Sequence, residues 1–290
     1  MQLPARLSRR AVDSHKKEYG HVFILSGSLG YTGAACLCAD AAMRAGAGLV
    51  TLGIPESLYG VVASRMLEAM VLPLPETKGR SLSVKALGDI KKYLERSNCF
   101  LMGPGLSRNS QTEKLIRELI GFSPCPMLLD ADALNALEGR IDILKRVKCP
   151  VILTPHPKEM SRLTGFSVKQ IQENRKEVAK NFSLRYNLTL VLKGHGTVVA
   201  DQDGKMYING TGNPGMATAG TGDVLSGIIA GFLAQGLSIY EAAKFGVYIH
   251  GLAADFAAKD KTEISLIASD IIDYLPQAFK NAVAVNQVDF

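Results

Sequence analysis

The run Asn213-Pro214-Gly215-Met216-Ala217-Thr218-Ala219-Gly220-Thr221-Gly222-Asp223 leads straight into an apolar, helix-forming stretch. Small residues let the backbone approach a ligand, and unpaired amides at a helix start point toward it. Gly220, Thr221 and Gly222 are therefore read as an anion hole. Asp223 follows in the first turn, where the helix dipole is expected to keep its carboxylate ionised and able to take a hydroxyl proton. The bland alternative is a plain helix cap made by Thr221 or Asp223. No G-x-x-x-x-G-K-[ST] occurs, and no G-x-G-x-x-G follows a strand, which disfavours a Walker-type or dinucleotide-binding fold.

Other chemistry-bearing residues sit in short loops. Lys193 leaves an apolar run into Gly194-His195-Gly196-Thr197, so its ammonium and the loop amides suit nucleotide phosphates or ribose; the alternative is a lysine snorkelling above a tight turn. His156 and Glu159 have H-x-x-E spacing at a strand-to-helix junction. For Glu159 the lesser alternative is a plain first-turn carboxylate, whereas a His between two prolines is not expected to cap a helix, which makes His156 a substrate contact. Glu159 is the weaker candidate, for magnesium through water. Asp130 and Asp132 read either as metal or ligand positioners or as a helix cap with a solvated neighbour. Tyr31 either closes over the site or is a buried aromatic. As lone imidazoles in apolar or glycine contexts, His21, His195 and His250 read as structural, so His195 enters only as part of its loop.

Short β-branched runs alternating with helical spacing position these residues. Strands are expected near His21 to Ser26, Leu49 to Gly53, Cys99 to Met102, Met127 to Leu129, Val151 to Leu153 and Thr189 to Leu192. Helical spacing runs over Ala34 to Ala45, Ser83 to Arg96, Ser110 to Gly121 and Ser167 to Tyr186, and then from about Asp223 to Gln235, Ser238 to Lys259 and Ser269 to Val283. Thr197 to Ala200 and Lys205 to Asn209 flank Asp203-Gly204, the turn of an antiparallel hairpin. The expected class is α/β, a mostly parallel sheet with helices on both faces, in a single domain over residues 1–290. The loops at 27–33, 103–106, 130–135, 154–159 and 193–197 each follow a strand, and in a parallel sheet those strand ends share one edge. The face Ala34, Leu37, Cys38, Ala41, Ala42, Ala45 is read as packing close against the sheet.

Composition narrows the class. The net charge is +6, from 33 Lys and Arg against 27 Asp and Glu, and the basic residues are dispersed rather than striped, which argues against nucleic acid as a partner. The 5 cysteines form no C-x-x-C pair and lie in apolar segments, as reduced core thiols in a cytoplasmic protein do. The first residues mix Arg6, Arg9 and Arg10 with Asp13 and Glu18, so no secretory signal is expected. The apolar stretch Val224 to Ala234 is too short to span a membrane.

The ordered set of motifs resembles a known family. Gly-Thr-Gly-Asp before a helix is similar to the anion hole of ribokinase-like kinases. His15-Lys16 with Gly20, Gly27-Ser28 with Tyr31 and Gly33-Ala34, Gly103-Pro104-Gly105-Leu106, Asp130-Ala131-Asp132-Ala133-Leu134, Leu153-Thr154-Pro155-His156-Pro157 with Glu159, and Leu192-Lys193-Gly194 narrow the match. Together they resemble the ADP-dependent NAD(P)H-hydrate dehydratases, over about Ser14 to Leu275. Lys158 and Ala219 depart from the pattern, each standing where glycine is usual. The resemblance is to the stand-alone dehydratase, without the hydrate-epimerase domain that family members often carry. It implies that Asp223 is the catalytic base and that Ala34, Gly105, His156 and Asp223 contact the NAD(P)H hydrate. It also implies nucleotide contacts from Lys193, Gly194, His195, Gly196, Thr197 and Gly222, ADP as phosphoryl donor, and magnesium (Mg2+). The implied reaction converts (6S)-NADHX or NADPHX to NADH or NADPH with AMP and phosphate, and the implied assembly is a homotetramer. A thiazole or hydroxymethylpyrimidine kinase of the same superfamily is the alternative, disfavoured by the Pro-His-Pro and Gly-Pro-Gly-Leu loops. A non-catalytic nucleotide-binding regulator, which needs no carboxylate at position 223, is a third reading.

Overall fold

The computed structural model describes residues 1–283. Its strands are β1 (His21–Leu25), β2 (Leu49–Pro55), β3 (Met70–Leu74), β4 (Cys99–Met102), β5 (Met127–Leu129), β6 (Val151–Leu153), β7 (Thr189–Leu192), β8 (Val198–Ala200) and β9 (Met206–Ile208). The helices are α1 (Thr32–Arg44), α2 (Tyr59–Ala63), α3 (Leu87–Leu94), α4 (Ser110–Phe122), α5 (Asp132–Asn135), α6 (Pro157–Thr164), α7 (Val168–Glu173), α8 (Arg175–Tyr186), α9 (Thr221–Ala234), α10 (Ile239–Lys261) and α11 (Ala268–Val283).

All strands join one sheet of order β3-β2-β1-β4-β5-β6-β7-β8-β9. Pairings from β3 across to β7 are parallel, while β8 and β9 add on antiparallel. Strand side chains alternate between two cores, as the period of two requires. Val22, Ile24, Leu101, Leu128, Ile152 and Val191 face the core built by α1, α9, α10 and α11. Phe23, Leu25, Phe100, Met127, Leu153 and Leu192 face the core built by α3, α4, α6 and α8. The hairpin lies where Asp203-Gly204 put it, with Val198 opposite Ile208.

The sequence reading misses β3, a sheet-edge strand that carries Pro73 and leaves Met70 47% exposed. Proline and exposure are features of edges, and they hide a strand from pattern reading. The helix expected over Ser167 to Tyr186 is broken at Asn174 (φ −129°, ψ 35°), which ends α7 and precedes α8. The small-residue face of α1 packs chiefly on a neighbouring helix rather than on the sheet. A Cβ at Gly227 of α9 would lie 2.4 Å from the Cys38 carbonyl oxygen, and one at Gly231 would lie 2.8 Å from Ala45 Cβ.

Candidate active site

Strand order reverses at β1, which has β2 on one side and β4 on the other. In parallel α/β sheets a crevice opens at such a switch point, outside the carboxyl ends of the strands. There the loop after β1 is stitched to the loop after β4. Gly27 N donates to Pro104 O at 2.9 Å, Ser26 Oγ to the same oxygen at 2.6 Å, and Ser28 Oγ to Gly105 O at 2.7 Å. Ala34 and Gly105 are brought together, since a Cβ at Gly105 would lie 3.2 Å from Ala34 Cβ. Tyr31 overhangs this corner 60% exposed, so it is not a buried aromatic.

The loop before α9 is shaped by Gly220, the N-cap, which takes a left-handed φ of 89°. No side chain caps the helix, which removes the reading of Thr221 or Asp223 as caps. Thr221 Oγ1 instead donates to Met216 O and Thr218 O at 3.1 Å, pinning the loop. The first intrahelical bond runs from Val224 N to Gly220 O at 3.1 Å, so the amides of Thr221, Gly222 and Asp223 precede the ladder and are free to meet an anion. Ala219, one of the two departures, is not a positive-φ residue, so its backbone conformation does not require glycine.

Lys193 reaches this loop from the end of β7. A Cβ at Gly222 would lie 3.4 Å from its Nζ. The ammonium is paired with Asp130 Oδ1 at 2.7 Å and lies 4.0 Å from Glu159 Oε2, which removes the snorkelling reading. Burial pulls the Lys193 pKa down, but the Asp130 and Glu159 carboxylates outweigh it and hold the ammonium above its usual value. Asp130 is 1% exposed and pairs with Lys193 and Ser226. Asp132 is tied down locally, accepting from Ser107 N at 2.8 Å and Asn135 Nδ2 at 3.0 Å.

Two expectations are corrected. Burial pushes Asp223 up to about 7, with Asp130 adding to the rise and Lys193 opposing it. Desolvation and the Asp130 charge thus oppose the ionised form that the helix start was expected to favour, and the group titrates near neutral pH. His156 does cap a helix. Its Nδ1 accepts from Lys158 N at 3.0 Å and Glu159 N at 3.2 Å, while Glu159 Oε2 accepts from His156 N at 2.8 Å, a reciprocal capping box. Burial, with the Lys193 charge, lowers the His156 pKa. The ring is therefore neutral with its proton on Nε2, a donor available to a ligand.

Glu159 is buried and its pKa is raised by that burial. Oε2 is occupied by the cap, while Oε1 lies 3.5 Å from His156 Nε2 without a hydrogen bond, so only one carboxylate oxygen is left to meet a ligand or a metal-bound water. Among the described residues no group of three or more His, Cys, Asp or Glu is arranged to hold a metal ion.

Gly194, His195, Gly196 and Thr197 form the turn from β7 into β8, with Thr197 Oγ1 donating to Gly194 O at 2.9 Å. Sequence reasoning missed Arg175, whose guanidinium donates to Leu192 O at 2.8 Å and Lys193 O at 3.3 Å and so braces this turn. No motif signals it, because reading one helix over Ser167 to Tyr186 hides the break that places it. Also missed is Cys38, whose thiol donates to Asp223 O at 3.3 Å. His15, Lys16 and Gly20 lie away from the site, since Gly20 precedes the amino end of β1 and packs on Ala234. His250 is buried, and burial lowers its pKa to about 4. His21 lies 2.8 Å from Thr51 Oγ1, in keeping with a structural role.

A sequence profile described as NAD(P)H-hydrate dehydratase matches residues 22–277. The chain belongs to the NAD(P)H-hydrate dehydratase family. It is 46% identical over 277 residues to the bifunctional NAD(P)H-hydrate repair enzyme Nnr of Moorella thermoacetica, covering 96% of this chain and 52% of that one. The chain thus spans about half the length of the bifunctional relatives it matches. A Bacillus subtilis ADP-dependent (S)-NAD(P)H-hydrate dehydratase is 34% identical over 276 residues, 95% of each chain. The crystal structure of a Bacillus subtilis ADP/ATP-dependent NAD(P)H-hydrate dehydratase, co-crystallised with ATP and Mg2+, superposes with a TM-score of 0.81 at 32% identity, covering 95% of this chain and 94% of that one. A ribokinase from Thermotoga maritima shares the fold at 15% identity and a TM-score of 0.52, so the fold of this dehydratase-family chain is ribokinase-like.

Proposed function

We propose that this chain repairs damaged nicotinamide nucleotides by ADP-dependent dehydration of (6S)-NADHX and NADPHX, releasing NADH or NADPH with AMP and phosphate. The observation that carries the proposal is the meeting of a carboxylate, an ammonium and unpaired amides at one helix start: Asp223, Lys193 over Gly222, and the turn Gly220 to Gly222. Hydroxide is a poor leaving group, since water has a pKa of about 15.7. A phosphate monoester, whose second proton titrates near roughly 6, is a far better one.

The hydrate 6-hydroxyl oxygen therefore attacks the terminal phosphorus of ADP, AMP departs, and Asp223 takes the hydroxyl proton. The Gly220 to Gly222 amides and Lys193 offset the charge on the transferring group. The ring nitrogen lone pair then expels phosphate from C6, and loss of a C5 proton restores the ring double bond. Ala34, Gly105 and His156 line the hydrate side, with His156 Nε2–H as the donor. The turn from Lys193 to Thr197, His195 included, and Gly222 form the nucleotide side.

Magnesium suits this site when carried on the nucleotide phosphates and reached through water, because Glu159 offers only Oε1, its Oε2 being committed to the cap. Bound there, it would supply charge neutralisation. The proposal includes a cytoplasmic location, which the free thiols favour; no helix among the described residues is long and apolar enough to cross a membrane. It also includes action as a single domain and assembly as a homotetramer. The Ala- and Gly-rich faces of α1 and α9 cover one another, so the contacts would come from elsewhere, as at Met206 and Ile208 on the exposed β9 edge.

The test is to offer enzymatically prepared NADH hydrate with ADP and follow reduced nicotinamide absorbance. Recovery of NADH with stoichiometric AMP is expected. A stable phosphorylated product would point to a kinase, and binding without turnover to a regulator. Equal or greater turnover with ATP in the absence of ADP would overturn ADP as the preferred donor.

A further inference from the structure

We propose that Asp130 and Ser226 form a positioning clamp for Lys193, setting the direction from which its ammonium meets the phosphoryl group at the Gly220 to Gly222 turn. The proposal rests on the phosphoryl-transfer reading above. Lysine is a compact charge on a flexible stem, so aiming it requires something rigid. Asp130 directly follows β5 and is 1% exposed, and each of its oxygens has a separate partner: Oδ1 accepts from Lys193 Nζ at 2.7 Å and Oδ2 from Ser226 Oγ at 2.8 Å. With one partner a carboxylate rotates about its Cβ–Cγ bond, whereas donors on both oxygens hold its plane.

Ser226 is the polar interruption in the otherwise apolar run from Val224 to Ala234, and it is fully buried. Serine is a poorer helix former than alanine, and a buried hydroxyl without a partner is costly. Its partner here is Asp130. Because Ser226 follows Asp223 by one helical turn, this bond ties the carboxylate that holds Lys193 to the helix that carries the base. Ala131, the residue after Asp130, has φ 47° and ψ −114°, a conformation alanine rarely adopts. Such strain persists where the surroundings over-determine a geometry. Lysine has three N–H donors. One is given to Asp130, and the ammonium abuts Gly222, so a further donor is available to the anion turn.

Ser226→Ala tests the clamp, because it removes one hydroxyl and leaves a better helix former, so the fold should persist. We expect kcat for hydrate dehydration to fall about tenfold, the order expected for one hydrogen bond to a charged group, with KM for ADP and for hydrate changed less than about threefold. Asp130→Asn should lower kcat further, by about 10²-fold. The second readout uses unliganded protein. The 15Nζ–1H correlation of the buried Lys193 ammonium, identified by its loss in Lys193→Arg, should be resolved in wild type and broadened in Ser226→Ala.

Wild-type kcat together with an unchanged ammonium signal in Ser226→Ala would overturn the clamp, whether or not Asp130→Asn folds. A raised KM with unchanged kcat would overturn it as well. A wild-type protein inert toward the hydrate, with the ammonium signal still broadened in Ser226→Ala, would leave the clamp standing and remove the functional reading instead.

Discussion

Replacing Asp223 with Asn should make the protein more stable and nearly inactive. Burial raises this carboxyl from 3.8 to about 7, and at ~1.4 kcal/mol per unit the full shift corresponds to ~4 kcal/mol of folding free energy. The residue is partly solvent-accessible, and screening reduces the expected effect to ~1–3 kcal/mol. The folded pKa lies above the unfolded one, so the group's contribution is intact below about 4, is lost progressively as pH rises, and is fully lost above about 7.

Asparagine does not titrate. Urea unfolding of Asp223→Asn and wild type should therefore differ little near pH ~4, and the variant should be the more stable by ~1–3 kcal/mol near pH ~8. The same displaced carboxyl governs rate. In wild type about one-tenth of it is ionised near pH 6 and about nine-tenths near pH 8, so kcat/KM should rise about tenfold between them with a midpoint near 7. In the variant kcat should fall by ~10²-fold or more. A variant less stable than wild type at both pH values, or one retaining near-normal kcat, would refute the reasoning. The hydroxyl proton would then have to leave by another route, such as water or the phosphate itself.

Gly220→Ala should abolish turnover, because the residue has φ 89° and a Cβ would lie 2.6 Å from Leu37 Cδ1; near-normal kcat would show that the turn does not hold the phosphoryl group. Gly194→Ala, whose Cβ would lie 3.1 Å from the Arg175 guanidinium at φ 137°, should weaken ADP binding more than hydrate binding, and calorimetry showing equal losses would make that turn purely structural. His156→Ala should cost ~1 kcal/mol through loss of the cap, whereas His156→Asn should retain stability yet raise KM for the hydrate; an unchanged KM in both would leave His156 as a cap alone. Light scattering should show a tetramer, and a monomer at micromolar concentration would contradict that assembly.

Much of the site is legible in the chain, because its signals are local. The alternation that defines β1, β4, β5, β6 and β7 is carried by neighbouring residues, and in a parallel sheet the loops that follow such strands share one edge. Gly220 and Asp223 lie within one helical turn, so their joint chemistry follows from spacing. The capping box of His156 and Glu159 is also local, since H-x-x-E spacing contains both halves of it, but proline on either side of His156 disguises it.

What the tertiary structure alone decides is burial and long-range partnership. Asp130 meets Lys193 across 63 positions and Ser226 across 96, so no local pattern announces either bond. The upward shift of Asp223 is hidden from the sequence for the same reason. A helix dipole can be read from a single helix, whereas desolvation depends on every element packed around the carboxyl, and at Asp223 desolvation is the largest cause of the shift.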